Sequence, residues 1–149
     1  MRKQPAFETN PARRVTVLSV SPVEEDRASM QSIFSHSKWA LYDTDRLAPA
    51  LSILREYEIG VVLCERDLQP GSWVDMLERL RVFQDAPPLI VTSRLADDKL
   101  WAEALNFGAY DVLAKPFDPR ELVRSVSLAW LHWLHQNESR PAVKVKAAS

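Results

Sequence analysis

The stretch ALNFGAYDVLAKPFDPREL, Ala104 to Leu122, carries a helix end, a strand and a helix start in one run. Gly108 closes the helical pattern of EALNF, and glycine takes the left-handed backbone of a helix C-terminus without steric cost. YDVLA (110–114) is short, mostly apolar and β-prone, as a strand should be. In DPRE, Asp118 is an N-cap, Pro119 stands at N1 and Glu121 at N3. Helix, strand, helix in this order is the unit from which parallel sheets are built.

The same alternation runs outward through the chain. VTVLSV (15–20), WALY (39–42), VVLC (61–64) and PLIVT (88–92) are further short apolar runs. Helical patterns fall near 22–35, 45–57, 72–84, 97–107 and 119–136. Strands this continuously apolar need both faces covered. The expected fold is therefore α/β: a single, doubly wound, five-stranded parallel sheet with five helices, of the flavodoxin-like kind. SPVEED predicts Ser21 as an N-cap with Pro22 at N1 and Glu24 at N3, and SWVD a second start at Ser72 with Asp75. The domain is expected over 13–136, between flexible tails at 1–12 and 137–149.

With 149 residues, 46% of them apolar and 26% charged, the chain suits one domain with its own core. A formal net charge of -1 supplies no field that would gather nucleic acid or an anionic membrane. MRKQPAFETNPARR has no apolar stretch of signal-peptide length, and no run is long enough to span a bilayer, so a soluble, cytoplasmic protein is expected. Cys64, the single cysteine, has no internal disulfide partner and is read as a small buried hydrophobe.

Open α/β sheets bind ligands at the C-terminal ends of their strands. Those ends carry Ser21-Pro22, Glu65, Thr92-Ser93 and Lys115, which would gather an acid, a hydroxyl and an ammonium in one crevice. PPLIVTS (87–93) followed by ALNFGAYDVLAKPFDPREL resembles the response-regulator receiver domains of two-component phosphorelays, over about residues 13–136. The resemblance implies an aspartyl phosphoryl acceptor after the third strand, two Mg²⁺-holding acids after the first, and a hydroxyl and a lysine on the phosphoryl oxygens. By position the acceptor falls on Glu65, the hydroxyl on Thr92 and the amine on Lys115, while the acid pair falls on Ser21 and Pro22.

That last pairing departs from the family pattern. Mg²⁺ takes octahedral oxygen coordination, and proline offers no side-chain ligand. Glu24, Glu25 and Asp26 are read as acids complementing the dipole at a helix start, leaving Mg²⁺ binding lost and no cofactor expected. Glu65 carries its carboxylate one methylene further out than Asp, which misplaces it for in-line chemistry. The longer side chain can instead reach Lys115 and imitate a fixed negative charge. Asp67 is a pocket-lining residue and the alternative acceptor in a second reading, a working phospho-accepting regulator with unusual ligands. Where the family often has a switching aromatic, three residues before the lysine, this chain has Val112, and Tyr110 is assigned to packing.

Other chemistries find less support. His132 and His135 have no third metal ligand and are assigned to the surface. A flavin or nucleotide site would need a phosphate-cradling loop, but SPVEED is acidic and lacks glycine, and the three glycines (Gly60, Gly71, Gly108) form no such loop. The expected function is a non-enzymatic signalling module that binds another protein: a histidine kinase, an output protein or a second copy of itself. On the last helix Leu122, Val126, Ala129, Trp130 and Trp133 share one face and should be core, while Leu128 and Leu131 point away. With Trp101 on the fourth helix they form the expected interaction surface.

Overall fold

The computed structural model describes residues 14–138. The tails expected at either end lie outside these residues, except that the last helix continues through Glu138. Ten elements alternate: β1 (Thr16–Val20), α1 (Glu24–Phe34), β2 (Ala40–Thr44), α2 (Leu47–Glu56), β3 (Val61–Glu65), α3 (Trp73–Leu80), β4 (Leu89–Ser93), α4 (Asp98–Phe107), β5 (Asp111–Ala114) and α5 (Pro119–Glu138). The strands form one parallel sheet in the order β2-β1-β3-β4-β5, the expected doubly wound arrangement. Among the described residues no helix is long and apolar enough to cross a membrane.

Strand periodicity divides the core into two layers. Leu18, Val20, Val62, Cys64, Val91 and Val112 point to the side covered by α2, α3 and α4. Val17, Val61, Leu63, Ile90 and Leu113 point to the side covered by α1 and α5. There the five expected core residues of α5 are all buried, together with Met30 and Phe34 of α1. Gly60 is needed where α5 crosses the start of β3, since a Cβ there would stand 2.3 Å from the Trp130 ring.

Most of the expected helix boundaries are made by the residues assigned to them. Ser72 accepts a hydrogen bond from the Val74 amide at 3.2 Å, and Asp118 one from the Arg120 amide at 3.0 Å. Gly108 ends α4 with φ of 96°. The first helix differs: α1 begins at Glu24 with Val23 as its N-cap, and no side chain caps it. Ser21 is not the cap, because its hydroxyl is turned into the protein toward Asp26.

Candidate functional site

The period-two rule that sorts the core also assembles the site. Glu65 follows Leu63, Thr92 follows Ile90 and Lys115 follows Leu113, so all three side chains emerge on the α1/α5 side of the sheet. Ser21 follows Val17 and Ser19 in the same phase. The ladder continues past the strands to hold these residues in line: the Ser21 amide donates to the Thr44 carbonyl at 3.0 Å and the Lys115 amide to the Ser93 carbonyl at 3.0 Å. Glu65 and Thr92 are register partners across β3 and β4.

Lys115 lies at the centre. Its Nζ donates to Glu65 Oε1 and also to Asp26 Oδ2, so the contact expected between strand ends is present and a second carboxylate joins it. Relative exposures of 9% for Lys115 and 5% for each acid place all three charges inside the protein. Each acid is held by a second donor, Glu65 on its other oxygen and Asp26 on the same one. Glu65 Oε2 accepts from the Asp67 amide at 2.7 Å, and Asp26 Oδ2 accepts from Ser21 Oγ at 2.7 Å. Ser21 Oγ in turn accepts from the Val23 amide at 3.1 Å. Buried charges persist only when paired and hydrogen-bonded in this way. Two acids and one ammonium leave the cluster a formal charge of -1.

A cavity of about 350 Å³ opens beside the cluster, lined by Pro22, Val23, Glu65, Asp67, Arg94 and Lys115 among others. Of the residues assigned to the pocket, Pro22 and Asp67 stand at its wall, Ser21 is sealed behind it, and Thr92 is buried while its neighbour Ser93 reaches the cavity. Asp67 is at the solvent rim, its side chain 73% exposed and 3.6 Å from Arg66. Arg94 pairs with Glu25 at 3.0 Å. Among the described residues no group of three or more His, Cys, Asp or Glu side chains is arranged to hold a metal ion. On the opposite face from Glu65, burial pushes the Cys64 thiol far up from its ordinary value, and the Glu65 carboxylate adds to the shift.

Asp26 is the residue that sequence reasoning missed. It is not a solvent-facing acid at a helix start: Glu24 and Glu25 are exposed, but Asp26 is buried. A signal was available, because Asp26, Met30 and Phe34 recur every four residues and form the buried stripe of α1. The acid occupies a core position of the helix, and the dipole argument hid it.

The expected interaction residues face water, with relative exposures of 37% for Trp101, 46% for Leu128 and 58% for Leu131. Leu105, also on α4, is 61% exposed and was not foreseen. β5 is an edge strand, and α4 and α5 both pack on it. On α5, Leu128 lies between Ser125, whose hydroxyl donates to Asp111 at 2.5 Å, and His132, whose ring packs tilted against that of Tyr110 with centroids 5.6 Å apart. Those contacts place the Leu128 stripe on the β5 side of the helix. Tyr110 packs as expected, His132 and His135 are on the surface, and Val112 is buried in the other core layer.

Comparison with known proteins agrees with this geometry. The family model described as response regulator receiver domain matches residues 17–127. The cell cycle response regulator CtrA of Brucella ovis is 27% identical over 107 residues, covering 70% of this chain and 46% of the relative. CtrA of Brucella canis matches to the same extent, so the chain spans less than half the length of these curated relatives. The signal receiver domain of an HD domain-containing protein from Pseudomonas fluorescens Pf-5 superposes with a TM-score of 0.77 at 27% identity, covering 85% of this chain and 93% of that one. The chemotaxis response regulator CheY4 of Vibrio cholerae, at 16% identity and a TM-score of 0.69, shares the fold over 78% of this chain and 98% of its own.

Proposed function

The chain belongs to the response regulator receiver domain family, and from that premise we propose that it signals by protein binding without Mg²⁺-dependent phosphorylation of an aspartate. The observation that carries this reading is the engagement of Lys115 by Glu65 and Asp26 at the place where a phosphoryl group and its cation would enter. The donor set is a poor match for Mg²⁺. Pro22 supplies no ligand, the Ser21 hydroxyl is spent on Asp26, and both buried carboxylates already hold an ammonium. Without a metal, a dianionic phosphoryl donor would meet a cluster of net negative charge with only Arg66 and the exposed Arg94 at the cavity wall to offset the repulsion.

On this reading the domain catalyses nothing and acts in the cytoplasm. Its output is a surface, and the apolar side chains flanking β5 suit a protein partner: a histidine kinase, an output protein or a second copy of the chain. Asp67 is a weaker acceptor candidate, since its rim position sets it beside Arg66 and outside the lysine's two contacts.

Titration with beryllofluoride and millimolar Mg²⁺ tests the reading. The expected result is no saturable change in tryptophan fluorescence and no amide shifts around Glu65. A saturable response centred on that strand end would restore phosphoryl chemistry and overturn the proposal.

A further inference from the structure

We propose that Asp26 is a positioning residue that withholds Lys115 from any anion entering the crevice and holds the site in a single state. The proposal rests on the reading of the site given above and adds the residue that fixes it. Glu65 alone would leave the ammonium of Lys115 with donors free to turn toward the 350 Å³ cavity that both residues line. Asp26 approaches from α1 and takes one of those donors. Its own orientation is set by the Ser21 hydroxyl at 2.7 Å, itself held by the Val23 amide at 3.1 Å. The lysine is thereby clamped between a helix and a strand that lie 89 and 50 residues away in sequence.

The clamp reassigns both residues at the end of β1. The carboxylates that would hold a metal are absent there, and Ser21 instead orients an acid that competes for the lysine. With two of its three donors held by buried anionic partners, the ammonium can turn a second donor toward an incoming anion only after one contact breaks. Charge-assisted contacts in a water-poor site are the strongest ones to break. The structure therefore assigns to Asp26 the control of what Lys115 can touch.

Amine acetylation of the native chain, read residue by residue by mass spectrometry, tests this directly. Exposed Lys99 serves as the reference amine and Cys64 alkylation reports general opening of the core. In the unaltered chain Lys115 should react far more slowly than Lys99. In Asp26→Met it should react about tenfold faster than before while Cys64 stays protected, as loss of one charge-assisted hydrogen bond implies. Asp26→Asn keeps the volume and the Ser21 contact, so it decides the case if the methionine variant does not fold; a rise of a few-fold is expected. Lys115 protection unchanged in the folded variants would overturn the proposal, and a rise matched by Cys64 would mean that Asp26 serves only stability. The unaltered chain's response to beryllofluoride is a separate measurement, so failure of the clamp and failure of the phosphorylation-independent reading give different results.

Discussion

Inside the crevice at the C-terminal strand ends, three charged side chains are nearly sealed from water; on α4 and α5, large apolar side chains stand in it. The two regions invert the usual distribution. The buried charges are explained within the chain, since Lys115, Glu65 and Asp26 satisfy one another and the Ser21 hydroxyl and Asp67 amide complete the set. The exposed Trp101, Leu105, Leu128 and Leu131 have no such internal reason. On the proposed reading, in which the ionic cluster takes no phosphoryl group, this apolar surface is what the domain presents to a partner.

The largest expected effect breaks the first half of this contrast. Lys115→Met leaves two carboxylates buried beside each other without a cation, and removing one member of a buried ion pair costs about 3–5 kcal/mol. For a domain of this size that lowers the melting temperature by about 10 °C. The more informative variant replaces Lys115, Glu65 and Asp26 together by Met, Leu and Leu. Its stability should return to near that of the unaltered chain, because well-packed apolar groups often match a buried ion cluster. A triple variant as unstable as Lys115→Met would show that the cluster contributes stability of its own.

A smaller effect is expected on the outside. Replacing Leu128 and Leu131 together by serine should shift the melting temperature by no more than about 3 °C, since surface changes stay within about 0.5 kcal/mol each. Sedimentation of that variant should show weaker association than the unaltered chain, and Trp101→Ala should weaken it further, as aromatic anchors do in interfaces. By contrast Trp133→Ala, on the buried face of the same helix, should cost about 3–5 kcal/mol. A collapsed melting temperature with unchanged sedimentation for the leucine variant would remove the patch from consideration and place the interface elsewhere.

The two regions also differ in how much of them the amino-acid order disclosed. The sheet was legible because each strand run is short and apolar and lies between helix signals such as Ser72, Gly108 and Asp118, all of which act locally. The outward placement of Leu128 and Leu131 follows from helical period alone. The ionic cluster was half legible: Glu65 and Lys115 sit at strand ends, where parallel topology brings them together. Asp26 was not, because an acid in the first turns of a helix satisfies the dipole whichever way it points. Only the spacing to Met30 and Phe34 betrays its burial, and its partner is far along the chain. The close approach of Gly60 to Trp130 depends on how α5 lies across the sheet, which no local pattern encodes.

A last effect, one of pH dependence, sharpens the boundary between the cluster and the opposite core layer. Cys64 precedes Glu65 and points to the other face, into apolar surroundings. Burial first, and then the Glu65 carboxylate, raise its thiol above the ordinary value of 9.0. The folded chain therefore keeps this proton where the unfolded chain releases it. Stability from the neutral thiol is complete below the unfolded value and declines as pH rises past it, by about 1.4 kcal/mol per pH unit. Other groups titrate in the same range, so the measurement is a difference. Denaturant unfolding of the unaltered chain and of Cys64→Val, compared between about pH 8 and about pH 10, should give a stability gap that moves by about 1.4 kcal/mol in favour of the valine variant. A constant gap would mean that the thiol ionises as readily folded as unfolded, and that water or a nearby cation reaches the back of β3. The layer behind the ionic cluster would then not be dry, and the sharp division between charged crevice and apolar core would fail at its closest point.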